Sequence, residues 1–179
     1  SGGGGGGRVA LDYAALDDMH RLRFDAAGGA NKNSLDWTNF WWRCAQNGTV
    51  HLKGPPLLRE TLDQELFNEV DLYVDGLSEW HTDRLSASNC SVTFCMQPFE
   101  LVATNALRVG ANGRLGVRGS ISLPAGDLVV TNGGRLTVYA GATNGVGHAY
   151  GALVRVAGDI IVGPGSWIHP RSHETNGGS

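Results

Sequence analysis

Apolar residues occupy every second position through most of the C-terminal half of this chain, and short glycine-rich breaks punctuate them. Phe99, Leu101 and Ala103 alternate with other residues, Leu107 and Val109 follow, and residues 110–113 read as a turn. Leu115 and Val117, then Ile121 and Leu123, continue the alternation, with breaks at Gly119 and at Pro124-Ala125-Gly126. A period of two marks strands with one buried face. The pattern also recurs: Ala106-Leu107-Arg108-Val109 through Arg114-Leu115-Gly116-Val117 returns 21 residues later as Asp127-Leu128-Val129-Val130 through Arg135-Leu136-Thr137-Val138. A fixed period near 20 residues, built from short strands and glycine turns, predicts a solenoid in which each coil stacks on the last. Three strands and three turns per repeat describe a triangular coil. The expected fold is therefore all-β, a right-handed parallel β-helix, with Leu107 and Leu128 stacked in one inward ladder. Each fully buried aliphatic side chain of such a ladder contributes about 1.5–3 kcal/mol.

The next repeat is readable with an interruption. Asp159-Ile160-Ile161-Val162 aligns with Asp127-Leu128-Val129-Val130, Gly165 with Gly133 and Ile168 with Leu136, at an offset of 32. That is the 21-residue period plus 11, and the glycine-rich residues 141–151 supply the insertion. Val154 and Val156 fall one residue out of the phase set by Ile121 and Leu123. Toward the N-terminus the alternation is shorter: Val9, Leu11 and Tyr13; residues 22–26; Gly48 to Lys53; and Val70 to Gly76. Residues 31–47 form an aromatic insertion carrying Trp37, Phe40, Trp41 and Trp42. Leu58, Leu62 and Leu66 lie four apart behind Pro55-Pro56, so one short helix competes over 57–70. Residues 78–89 are polar and read as a loop. The chain 1–179 is thus expected to be one solenoid segment: strands with the aromatic insertion over 1–56, an irregular stretch over 57–91, and regular coils over 92–179.

Composition changes the picture in two places. Glycine, at 27 residues, is about twice its usual frequency, as a fold with several turns per coil requires. The net charge of −3 is too balanced to imply a nucleic-acid partner, and no apolar run is long enough to span a membrane as a helix. The poly-Gly run Gly2 to Gly7 passes directly into the strand at Arg8, so both ends are expected to be cuts within a longer Gly-rich chain rather than an added linker. The three cysteines leave pairing open. Cys90 and Cys95 bracket a strand spanning about 16 Å, whereas a disulfide needs Cα atoms within about 7 Å, so they bond only if a turn folds them together. Cys44 with either one, or no bond at all, is equally compatible.

Several segments, in order, resemble the glycine-rich parallel β-helix repeats of large bacterial secreted and surface proteins. They are Gly6-Gly7-Arg8-Val9-Ala10-Leu11-Asp12-Tyr13, Gly48-Thr49-Val50-His51-Leu52-Lys53, Leu72-Tyr73-Val74-Asp75-Gly76, the rungs over 107–138 and the glycine-rich break over 141–151. The resemblance implies export to the cell surface or beyond, and a structural or adhesive role as a fibre, stalk or adhesin that self-associates through its ends or sides. It carries over no catalytic residue.

Candidate chemistry is thin. Trp37, Trp41 and Trp42 could stack on sugar rings, though plugging or packing the solenoid explains them more simply. A glycan-binding module or a polysaccharide-cleaving β-helix is therefore the alternative function. Asp12, Asp17, Asp18 and His20 lack the spacing of a calcium loop, and His169, His173 and Glu174 read as surface groups. Asp71 and Asp75 share a strand face but stand about 13 Å apart, too far for a catalytic pair. No phosphate loop, nucleophile elbow or zinc-protease motif is present. The chain is expected to be no enzyme and to need neither cofactor nor metal.

Overall fold

The computed structural model describes residues 6–13, 22–28, 47–140 and 152–171. Within them, β-branched and aliphatic residues at alternate positions form sixteen strands. In chain order these are β1 (Arg8–Leu11), β2 (Phe24–Asp25), β3 (Gly48–Leu52), β4 (Thr61–Leu62), β5 (Phe67–Asn68), β6 (Val70–Val74), β7 (Glu79–Ser88) and β8 (Ser91–Phe94). They continue as β9 (Glu100–Gly110), β10 (Arg114–Arg118), β11 (Ser120–Leu123), β12 (Asp127–Val130), β13 (Arg135–Tyr139), β14 (Leu153–Val156), β15 (Ile160–Val162) and β16 (Trp167–Arg171).

Every strand pairing is parallel. One sheet runs β1-β3-β6-β8-β10-β13-β16, and a second runs β14-β11-β9-β12-β15 with β4 and β7 added through β9. The long strand β9 explains the second sheet: its first part pairs with β11 and its second part with β12. β14 and β15 then pair with β11 and β12 in turn. From β8 onward the chain therefore leaves the first sheet, crosses two successive stretches of the second, and returns. The predicted neighbours Leu107 and Leu128 are direct partners, as are Leu115 and Leu136.

Register puts like on like. In the first sheet one inward row reads Val9, Val50, Leu72, Phe94, Val117, Val138 and Pro170. In the second, Leu85, Leu107, Leu128 and Ile160 form one row, and Leu62, Ala87, Val109, Val130 and Val162 another. All of these except the outermost members are essentially sealed from solvent. Phe94 stacks on Phe99 at 5.3 Å and meets Trp80 at 5.5 Å, filling the middle of the core.

Four sequence expectations are corrected or resolved here. No helix covers 57–70: a 3-10 turn at Pro55–Leu57 is followed by β4 and β5. Asp63 breaks the leucine spacing, since its carboxylate accepts from the Glu65 amide and its carbonyl from Leu66 and Phe67. Leu62 is then free to stack in the ladder opposite Ala87. Residues 79–88 are a strand rather than a loop. β7 conceals its alternation because only Leu85 and Ala87 are buried, while ladder bonds to β9 hold it along its length. Val154 and Val156 pair with Ile121 and Leu123 after all, at an offset of 33, and the corner before Ile160 is one residue shorter than the corner before Leu128. Cys90 and Cys95 are free and buried at the two ends of β8, which holds them apart; Cys44 lies outside the described residues.

The corners are polar and satisfy one another. Glu60 accepts from the Thr82 hydroxyl and the Asp83 and Arg84 amides where β7 and β9 slip register, and Asn105 donates to the Asp83 carboxylate on the next layer. At the single-residue corner between β10 and β11, Gly119 has φ of +150°, and a β-carbon there would lie 1.9 Å from the Phe99 carbonyl oxygen. That oxygen accepts the Ser120 amide, so the close approach belongs to the ladder itself. Gly119→Ala should destabilise the fold by about 3 kcal/mol or more. Gly165→Ala, at φ of +69° with open space around it, should cost only about 1–2 kcal/mol. Equilibrium urea unfolding of the two variants checks the contrast.

Candidate functional site

Because strand side chains alternate between faces, the residues between the core positions of the first sheet all point outward, and parallel register lines them up. One outward row reads Arg8, Thr49, Asp71, Thr93, Gly116, Thr137 and His169. Beside it run Arg118, Tyr139 and Arg171 on β10, β13 and β16. Tyr73 and Cys95 lie against Arg118 from the preceding layers. On the other side run Ser91, Arg114, Arg135 and Trp167.

These groups form a connected cluster. The Arg118 guanidinium sits 5.1 Å from the Tyr139 ring centre and that of Arg171 sits 6.0 Å from it, so one ring is flanked by two cations. Arg135 covers Trp167 at 4.5 Å. The Arg118 Nε is buried and, among the described residues, has no hydrogen-bond partner. Such an unmade bond to a charged donor is costly, and the same guanidinium bonds the Cys95 side chain. Burial raises the Asp71 carboxyl above the ordinary carboxylate range, opposed by the charge of Arg118 and a hydrogen bond with Thr93. Burial likewise raises Tyr73, with the Cys95 side chain adding to it, and pushes the Cys95 thiol up to about 11, helped by the negative charge of Asp71. Arg135 is lowered by burial and by the like charge of Arg114.

Toward the N-terminal end of the same sheet the outward groups pair off. His51 meets Asp75 at 2.6 Å, and Lys53 meets Asp12 at 2.5 Å. At the corner leading into the sheet lies an open polar cleft of about 490 Å³, lined among others by Gln64, Asn68, Glu69, Asn89, Asn112 and Arg114. Glu69, Asn89 and Asn112 all turn with positive φ there, and asparagine adopts that region at the least cost among residues with a side chain. The second feature of note is the edge formed by β14, β15 and β16. Ile160 and Val162 point inward, yet they are 56% and 48% exposed, whereas their ladder partners Leu128 and Val130 are at 0%.

The sequence-predicted groups are scattered. Trp37, Phe40, Trp41 and Trp42 lie outside the described residues, as do Asp17, Asp18, His20, His173 and Glu174. Asp12 is occupied by Lys53, and His169 faces outward on β16 opposite Thr137. Asp71 and Asp75 do not share a strand, since β6 ends at Val74 and Asp75 lies in the turn beyond it, and they join different partners, Asp71 the Arg118 cluster and Asp75 the His51 pair. Among the described residues no three His, Cys, Asp or Glu side chains come together in a way that could hold a metal ion, and no helix is long and apolar enough to cross a membrane. The Arg118 cluster was legible only in part. Arg114 and Arg135 repeat at the 21-residue offset, and Arg118 aligns with Tyr139 at the same offset, but nothing in the spacing brings Asp71 and Cys95 to them. No protein-family model matches the chain, and no curated protein or solved structure is similar to it.

Two outcomes follow from the titrations. Folding raises the Asp71 pKa, so the folded state holds that proton more tightly than the unfolded chain. Its contribution to stability therefore falls as pH rises from about 4 through the folded value. Asp71→Asn should raise Tm at pH 7 on the order of 2 °C and by less at pH 4, as calorimetry would show. Cys90 and Cys95 are both raised to about 11 by burial, so their contribution is lost between the unfolded thiol value, about 8.5, and about 11. Both should resist a thiol reagent at pH 8 in the folded chain and react promptly in denaturant.

Proposed function

We propose that this chain is a segment of a right-handed parallel β-solenoid and serves as a structural building block of an extracellular or cell-surface fibre, stalk or adhesin of bacterial type. The parallel ladders and the cyclic passage of the chain between the sheets support the closed coil. The resemblance of the glycine-rich motifs to repeats of secreted and surface proteins supports the setting. The single observation that carries self-association is the exposed inward pair Ile160 and Val162, in rows that are sealed one strand earlier. Such an edge offers both apolar surface and unpaired backbone groups to another layer of parallel strands, from a neighbouring repeat or a second copy. Trp167 bonds back to Gly134, so the backbone groups of Ile168 and Pro170 on β16 point away from β13, and Pro170 removes one donor from that side. The added layer therefore engages chiefly through β14 and β15. Such an edge-to-edge contact is head-to-tail and does not close on itself, which is the geometry of fibres.

Sedimentation velocity across a concentration series tests this. The chain should grow into elongated oligomers as concentration rises, and the double variant Ile160→Lys with Val162→Lys should stay monomeric while keeping its β-sheet circular dichroism. A wild-type chain that remains a monomer at high concentration would remove the basis for the assembly role.

A further inference from the structure

The outward strip over β6, β8, β10, β13 and β16 is independent of the open edge, and its chemistry is specific. Four guanidinium groups, Arg114, Arg118, Arg135 and Arg171, stand in two rows of one sheet face, although the chain as a whole carries a net charge of −3. Aromatic faces alternate with them: Tyr139 between Arg118 and Arg171, and Trp167 beside Arg135. Tyr73 and Trp167 remain 39% and 45% exposed. The row between the arginine rows carries Asp71, Thr93, Thr137 and His169, which accept or donate hydrogen bonds. Strand spacing makes the strip about 19 Å long and straight.

We propose that this strip binds an acidic polysaccharide, a chain of sugar rings bearing carboxylates. Each part of such a ligand has a counterpart here. The carboxylates meet the charge of the two arginine rows and take the outward N–H groups of Arg114, an exposed member. The apolar ring faces lie on the exposed rings of Tyr73 and Trp167. The sugar hydroxyls donate to Asp71 and exchange bonds with Thr93 and Thr137. A single-stranded DNA carries a similar charge per unit but few hydroxyl donors, so it leaves Asp71, Thr93 and Thr137 without the bonds that each sugar ring supplies. Arg114 recurs as Arg135 one layer on, and Thr93 as Thr137 two layers on, which suits a polymer that presents like groups at intervals.

Isothermal titration with polygalacturonate at low and high salt tests the proposal, with dextran and a single-stranded oligonucleotide as comparison ligands. Polygalacturonate should bind, more weakly at high salt, and dextran should not. Arg118→Gln and the more exposed Arg171→Gln should each lower affinity about tenfold, while Arg108→Gln on the other sheet leaves it unchanged. Sedimentation of the same samples separates loss of binding from loss of assembly, and circular dichroism confirms that each variant is folded. Binding unaffected by both Arg118→Gln and Arg171→Gln, no binding by the folded wild-type chain, or oligonucleotide binding as tight as that of polygalacturonate would overturn it.

Discussion

Everything in this molecule depends on one constraint: parallel strands bonded in register place each residue directly above its counterpart in the layer before. The backbone ladder has no choice of side chain, but it forces side chains at equivalent positions to share one environment. Aliphatic residues then stack into sealed rows such as Leu85, Leu107 and Leu128, and a polar residue in such a row would be desolvated on both sides. The same constraint acts at the corners, where backbones approach so closely that Gly119 and Gly126 have carbonyl oxygens within 2.0 Å of where a β-carbon would sit. Composition follows from geometry: glycine and asparagine at corners, and valine and leucine between them.

Stacking also concentrates chemistry on the outside. A single outward arginine on an ordinary surface is a solvated charge worth little. Repeated over successive layers, Arg114 over Arg135 and Arg118 beside Tyr139 and Arg171 become a strip with cations and rings held at fixed spacing. The sheet is the scaffold, and the ordering of the strip is a by-product of the core rows beneath it. That is why a fold whose described interior is apolar can hold Asp71, Arg118 and the buried Cys95 together on its flank. Carrying those groups costs stability, which is the usual sign that a surface serves something other than folding.

The edge at β14 to β16 shows the other consequence of stacking. Each layer buries the one before it, so the last described layer leaves Ile160 and Val162 half open, although their partners are sealed. In the proposed solenoid, a cap or a further layer would cover such an edge. The proposed structural role and the proposed glycan strip therefore sit on different surfaces, one axial and one lateral, and neither obstructs the other.

By itself the amino-acid order determined the all-β character, the 21-residue period over 106–138 and its return at 160–168 after an insertion. Alternation and glycine breaks are local signals, and a repeat multiplies them. The order did not determine the pairing of β4 with β7 or the strand at 79–88, because few residues there are buried and their strand state rests on ladder bonds to chain more than 15 residues away. Nor did it determine the cluster of Asp71, Tyr73, Cys95, Arg118 and Tyr139, drawn from four layers. Those residues meet only because register, summed over corners of unequal length, brings them to one face. A corner shorter by one residue, as before Ile160, shifts everything downstream, and only the assembled ladders decide where that shift is absorbed.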